Sequence, residues 1–212
     1  MKKKIIPFDS FIDQALYAKK EGYYSRNNPF GKKGDFITAP AISFLFGEMI
    51  AIWLIFFWEN LKKPKKINII ELGPGDGKLI KILLKTFAKF PDFNKCVNIF
   101  LYEKSENLIK IQKKELKNKN IKWLKNFNVL KRGPVIFLGN EFFDAVAIKQ
   151  FVKKDKVILE KYIDIRKKNK PKILLKKTNL KTIKELKKFN LLKKNGIIEY
   201  PKIGLVEINN FI

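Results

Sequence analysis

A chain of 212 residues with 46% hydrophobic and 13% aromatic residues can bury a core, which excludes an intrinsically disordered chain despite 31% charged residues. The formal net charge of +26 invites a nucleic-acid reading, yet the basic residues are almost all Lys, with Arg only at 26, 132 and 166; a phosphate-reading surface favours the planar fork of Arg, so no nucleic-acid partner is expected. Cys96 is the single cysteine and there is no His, which excludes an internal disulfide and leaves no ligand set for a metal.

The start, Met1 to Asp9, is basic but has no apolar run behind it, so no secretory signal is expected. The expected location is the cytoplasm, or the mitochondrial matrix in a eukaryote. Residues 9–20 carry apolar positions at helical spacing, with Asp9 or Ser10 as the N-cap. Residues 21–40 are rich in Gly, Pro, Asn and Tyr and read as an ordered loop. Residues 41–61 read as one helix, apolar nearly all round. Its most apolar stretch, Met49 to Trp58, is far short of the roughly 20 residues of a membrane span, so no membrane insertion is expected.

From Ile67 the pattern alternates. Strands are predicted at 67–72, 97–102, 121–124 and 134–138, with amphipathic helices at 79–90 and 105–117. This rhythm argues for a parallel sheet covered by helices, an α/β fold. Beyond Ala147, antiparallel strands are predicted at 148–153, 157–165 and 172–176, then a helix at 180–194 and a strand opening 196–212. The expected organisation is an N-terminal helical cap over 1–66, an α/β core over 67–147 and an antiparallel part over 148–212.

The most informative segment is Glu71-Leu72-Gly73-Pro74-Gly75-Asp76-Gly77, between a strand and a helix. Glycines there allow a sharp turn and a close ligand, and the helix start favours a carboxylate or phosphate. A P-loop is excluded because Leu79 follows Gly77-Lys78 where Ser or Thr is needed. A dinucleotide fingerprint is excluded because Lys78 stands where its third glycine belongs. The next strand ends at Glu103, where an acid can accept both hydroxyls of a ribose. The bland alternative is a tight turn and a solvated strand end.

After the fourth strand comes Asn140-Glu141-Phe142-Phe143-Asp144-Ala145. Two carboxylates around two aromatics suit a planar cation such as a guanidinium, which they would orient and deprotonate. Here too a structural alternative stays open: core aromatics with capping acids.

The glycine segment resembles motif I of class I methyltransferases. Together with Gly34-Asp35-Phe36-Ile37-Thr38, Ser43 to Gly47 and the 140–145 segment, it resembles the MidA-like family of protein arginine methyltransferases. The resemblance implies a class I, Rossmann-like fold with helices on both faces of its sheet, and S-adenosyl-L-methionine as cofactor. Glu71, Gly73, Gly75, Gly77 and Glu103 would hold the cofactor, Gly34 and Asp35 would contact cofactor or substrate, and Asn140, Glu141 and Asp144 would be catalytic. The implied partner is a protein with a target Arg and, by the mitochondrial member, one met in respiratory complex I assembly. The family carries Arg where Asp76 stands, Glu at Ala41 and Leu-Pro at Val146-Ala147, and it continues past residue 212, so a truncated chain is expected. A nucleic-acid base methyltransferase and an inactive assembly factor are the alternatives.

Overall fold

The structure is a computed structural model that describes residues 5–26, 29–31, 34–117, 120–130, 133–166 and 170–201. In chain order its elements are β1 (Ile5–Pro7), α1 (Phe8–Tyr17), α2 (Tyr23–Arg26), α3 (Ala39–Ile42), α4 (Phe44–Asn60), β2 (Ile67–Leu72), α5 (Lys78–Phe87), α6 (Pro91–Cys96), β3 (Val97–Tyr102), α7 (Glu106–Leu116), β4 (Ile121–Leu124), β5 (Val135–Leu138), β6 (Lys149–Lys154), β7 (Val157–Asp164), β8 (Lys172–Lys177), α8 (Leu180–Lys188) and β9 (Gly196–Tyr200). The chain forms two compact units: Lys19–Asp144, and Met1–Ala18 together with Ala145–Ile212.

The Lys19–Asp144 unit is built on a four-stranded parallel sheet in the order β4-β3-β2-β5. Every residue of β2 is buried, as its run of β-branched residues requires of a central strand. Because β3 and β4 lie on one side of β2 and β5 on the other, the strand order reverses at β2. In such sheets, ligands sit beyond the carboxyl ends of the strands at this reversal.

One face of the sheet, through Ile67, Ile69, Ile99, Leu101 and Ile121, packs in a single core with α4, α5, α6 and α7. The other face carries Tyr102 and Phe137, both packed against Phe127.

The helix predicted over 41–61 is two helices. Ser43 is extended, and its hydroxyl accepts the N–H of Leu45, which starts α4 afresh. The inner face of α4 presents Gly47, Ala51, Leu54, Ile55 and Trp58, while Leu45, Met49, Trp53 and Phe56 stay exposed. Gly47 is where α4 meets α5: an added Cβ would lie 2.7 Å from Ile82 Cγ2. Gly47→Val should therefore cost about 1–3 kcal/mol of stability by overpacking, read from urea unfolding. Sequence periodicity missed α6, a six-residue helix led by Pro91 that places Phe93 edge-on to Trp58 and Phe87.

The other unit is an antiparallel sheet in the order β1-β7-β6-β9, with β8 also paired to β7. Helix α8 contributes Leu186 to a small core with Phe151, Ile158, Ile198 and Tyr200. It ends at Lys188, earlier than the Lys-rich run suggested. Helix α1 begins at Phe8 behind Pro7 rather than at an Asp9 or Ser10 cap, because Asp9 instead faces Lys149, 3.6 Å away, which also pairs with Glu160 at 2.6 Å. Most of the predicted C-terminal segment, residues 202–212, lies outside the described residues. Among the described residues no helix is long and apolar enough to cross a membrane.

Candidate functional site

Every predicted site residue falls in the Lys19–Asp144 unit. Gly73, Gly75 and Gly77 have φ of 61°, 56° and 83°, the left-handed region that side chains disfavour. The Gly73 N–H donates to the Tyr102 carbonyl at 2.9 Å, which ties the start of the bend to the end of β3. Gly77 caps α5. The bend therefore sits where β2 and β3 end side by side.

Glu71 and Glu103 flank this bend. Glu71 is buried, and its Oε2 has no hydrogen-bond partner. Burial, with the nearby negative charges of Asp76 and Glu103, pushes its carboxyl up to about 8. Glu103 accepts the Ser105 N–H at Oε1 (2.8 Å) and the Gln112 amide at Oε2 (3.3 Å). Burial raises its pKa, and hydrogen bonds from the Ser105 backbone, Gln112 and the Lys104 backbone pull it back.

Asp76, the family's expected Arg position, turns to its own helix. Its carboxylate accepts the Lys78 N–H at 3.2 Å and pairs with Lys78 Nζ at 2.8 Å. The helix start expected to face a ligand anion is thus partly served by the chain's own carboxylate, while Lys78 offsets that charge.

The described residues of the 21–40 segment pack through aromatics. The N–H of Gly31 donates to the Phe36 carbonyl and that of Phe36 to the Pro29 carbonyl. Phe30 stacks on Tyr24 with centroids 6.2 Å apart. The Phe30 ring also lies over Gly75, where an added Cβ would be 3.2 Å from it. Ser105 Oγ donates to the Tyr24 carbonyl at 2.8 Å, fastening this segment to the start of α7. Gly34 turns the loop so tightly that a Cβ would meet the Pro29 carbonyl oxygen at 2.3 Å, and Asp35 accepts from the Tyr23 hydroxyl. Gly34 is thus a turn position and Asp35 is engaged within the loop.

The 140–145 segment follows β5 as a tight turn. Glu141 adopts φ of 54°, an uncommon conformation for a residue with a side chain. Glu141, Phe143 and Asp144 are exposed and Asn140 is half-buried. Phe142 packs edge-on to Tyr102 and lies 2.8 Å from where a Cβ on Gly73 would stand. Tyr24, half-buried, feels both Glu103 and Asp144: burial raises its hydroxyl pKa first, and the two carboxylates add to it. The structure therefore gathers Glu71, Gly73, Gly75, Gly77 and Glu103 around one bend. Phe142 joins the 140–145 segment to that bend, and Tyr24 lies within electrostatic reach of both acids.

Sequence reading missed Gln112. It is fully buried in α7, and its amide donates to the Gly75 carbonyl at 2.8 Å and to Glu103, while its oxygen accepts from the Trp123 indole at 2.8 Å. The available signal was a lone amide in the buried row Leu108–Gln112–Leu116. Among the described residues no cluster could hold a metal.

Left-handed glycines at 73, 75 and 77 leave backbone open to a close ligand at alternate positions of the bend, and a buried acid with an unpartnered oxygen suits a cationic ligand. The residues present fit S-adenosyl-L-methionine.

The profile of a family described as "Putative S-adenosyl-L-methionine-dependent methyltransferase" matches residues 49–202. A Caenorhabditis elegans relative, protein arginine methyltransferase NDUFAF7 homolog, mitochondrial, is 37% identical over 181 residues, covering 74% of this chain and 42% of the relative. The Homo sapiens protein arginine methyltransferase NDUFAF7, mitochondrial, is 30% identical over 179 residues, covering 73% of this chain and 41% of that protein. The chain thus spans less than half the length of these curated relatives. A crystal structure from Burkholderia thailandensis bound to S-adenosyl-homocysteine superposes with a TM-score of 0.71 at 23% identity, over 93% of this chain and 52% of that one, which shows a shared fold.

Proposed function

Because this chain belongs to the S-adenosyl-L-methionine-dependent methyltransferase family whose profile spans residues 49–202, we propose that its parallel-sheet unit holds the methyl donor for methylation of a protein arginine. The supporting observation is that the glycine bend and Glu103 are fastened to one another at the strand reversal, through Gln112 and the Gly73–Tyr102 hydrogen bond. When bound there, S-adenosyl-L-methionine supplies a methyl group already activated on a sulfonium.

The chain's own residues would do the rest. Gly73, Gly75 and Gly77 bring backbone close to the ligand, and Glu103 takes the ribose hydroxyls. Glu71 offers a buried acid to the ligand's positive charge. Phe30 and Tyr24, with the turn set by Gly34 and Asp35, cover the bend and exclude water. Glu141 and Asp144, exposed on the 140–145 turn, orient a guanidinium and take the proton released on transfer, with Asn140 beside them as a hydrogen-bonding partner. In this reading residues 19–66 form the cap and 67–144 the cofactor core; the expected cap over 1–66 is shortened because residues up to 18 belong to the antiparallel unit, where β1 pairs with β7. The methyl acceptor is an Arg of a protein partner, one met in respiratory complex I assembly as the resemblance implies. The proposed compartment is the cytoplasm, or the mitochondrial interior in a eukaryote, since the curated relatives bear mitochondrial names.

Transfer of labelled methyl from S-adenosyl-L-methionine to an Arg-containing partner protein tests the substrate side. Glu141→Ala should lower transfer by about a hundredfold or more, in the range of a lost general base, while leaving donor binding within about twofold. Transfer that survives in Glu141→Ala, Asp144→Ala and their double variant would remove the 140–145 turn from the chemistry.

A further inference from the structure

Gln112 is a leucine-like position occupied by an amide. It sits one turn from Leu108 and one from Leu116 on the inner row of α7, and none of its surface reaches solvent. A buried amide is tolerated only when its donors and acceptor are all matched, and here they are matched by three different strand ends. One N–H meets the Gly75 carbonyl beyond β2, the other meets Glu103 beyond β3, and the oxygen takes the indole N–H of Trp123 in β4. Two acceptors and one donor permit a single amide orientation, since a flipped amide would set its oxygen against the Gly75 carbonyl and the Glu103 carboxylate.

Glu103 is held from its other side by Ser105, whose N–H meets Oε1 at 2.8 Å and whose hydroxyl both caps α7 and binds the Tyr24 carbonyl. The carboxylate plane is therefore set by groups of α7 and its cap, before any ligand arrives. Accepting two neighbouring hydroxyls at once depends on that plane.

We propose that Gln112 is a positioning residue, whose amide fixes the Glu103 carboxylate relative to the Gly75 carbonyl so that Glu103 can read both hydroxyls of a ribose. This rests on the cofactor reading above and adds to it the residue that makes the two halves of the site a single frame. Gln112 touches no ligand in this account; it acts through Glu103. The hydrogen bond from Gln112 also favours the charged form of Glu103, so its loss should raise the Glu103 titration midpoint even in the unliganded protein.

The test is calorimetric titration of the full chain and of Gln112→Met with S-adenosyl-L-homocysteine and with its 2′-deoxy analogue, alongside an NMR titration of Glu103 without ligand. The unaltered chain should prefer the ribo compound by about tenfold or more, the discrimination expected of a hydrogen bond to a charged group. In Gln112→Met that preference should fall to within about twofold, and Glu103 should titrate at higher pH. Trp123→Phe, which removes only the amide's third partner, should shift both readouts in the same direction by less. It decides the matter if Gln112→Met fails to fold. Equal weakening for both compounds with an unmoved Glu103 would show that Gln112 is mere packing and overturn the proposal. If the unaltered chain binds neither compound, the cofactor reading itself falls, an outcome distinct from a retained preference in Gln112→Met.

Discussion

Gly73→Val is expected to weaken binding of S-adenosyl-L-homocysteine by about a hundredfold or more, with the chain still folded. Two costs combine at this position. Gly73 has φ of 61°, and a β-branched residue held there is strained by about 1–3 kcal/mol. Its Cβ would also lie 2.8 Å from the Phe142 ring. That ring is packed edge-on to Tyr102 and Phe143, so it cannot move alone. Pushing Phe142 out shifts the turn carrying Glu141 and Asp144, so donor binding and substrate positioning should suffer together. Calorimetry measures the first and methyl transfer the second, with urea unfolding as the control for folding. Affinity within a few-fold of the unaltered chain would mean that the bend does not touch the ligand.

The second large effect concerns Glu71 and pH. An unfolded chain ionises this residue near 4.5, whereas the fold holds its proton to about 8. Between those values the folded state keeps a proton that the unfolded state has released, so stability falls as pH rises. The favourable contribution is complete below about pH 4.5 and gone above about pH 8. At about 1.4 kcal/mol per pH unit, the loss across the window is about 5 kcal/mol. Glu71→Gln keeps the shape without the titration, so its urea stability should lack this slope and exceed that of the unaltered chain at pH 8. Parallel stability curves from pH 5 to 8 for the two proteins would contradict the burial argument. A cationic ligand reverses the balance, because positive charge beside Glu71 favours its ionised form. Binding of S-adenosyl-L-methionine at pH 7 should therefore release protons, and this release should be absent in Glu71→Gln.

Much of this site was legible from sequence because its determinants are local. A β-branched run between Lys66 and Gly73 can only be a short buried strand, and glycines at 73, 75 and 77 point to a backbone that must turn and be approached. The positions of β2, β3, α5 and α7 follow from such patterns. What stayed hidden depends on tertiary partners. β1 is three residues long and exists through its pairing with β7, which no local period encodes. α6 is a six-residue helix fixed by Phe93 between Trp58 and Phe87. Gln112 looked like one more polar residue in a Lys-rich helix, since only the fold shows it facing Gly75, Glu103 and Trp123. Asp76 stands where the resemblance implies Arg, and the pairing with Lys78 that turns it to its own helix depends on side-chain geometry. The exposed acids Glu141 and Asp144 belong to a turn whose shape, with Glu141 at positive φ, sequence periodicity does not describe.

The account stands on one ligand lying across both the glycine bend and Glu103. Titrating S-adenosyl-L-homocysteine into the unaltered chain, Gly75→Val and Glu103→Ala tests this most directly. The account predicts saturable one-to-one binding to the unaltered chain, lost in Gly75→Val and weakened by about tenfold or more in Glu103→Ala. Binding of equal strength in all three proteins, or none to the unaltered chain, would contradict it.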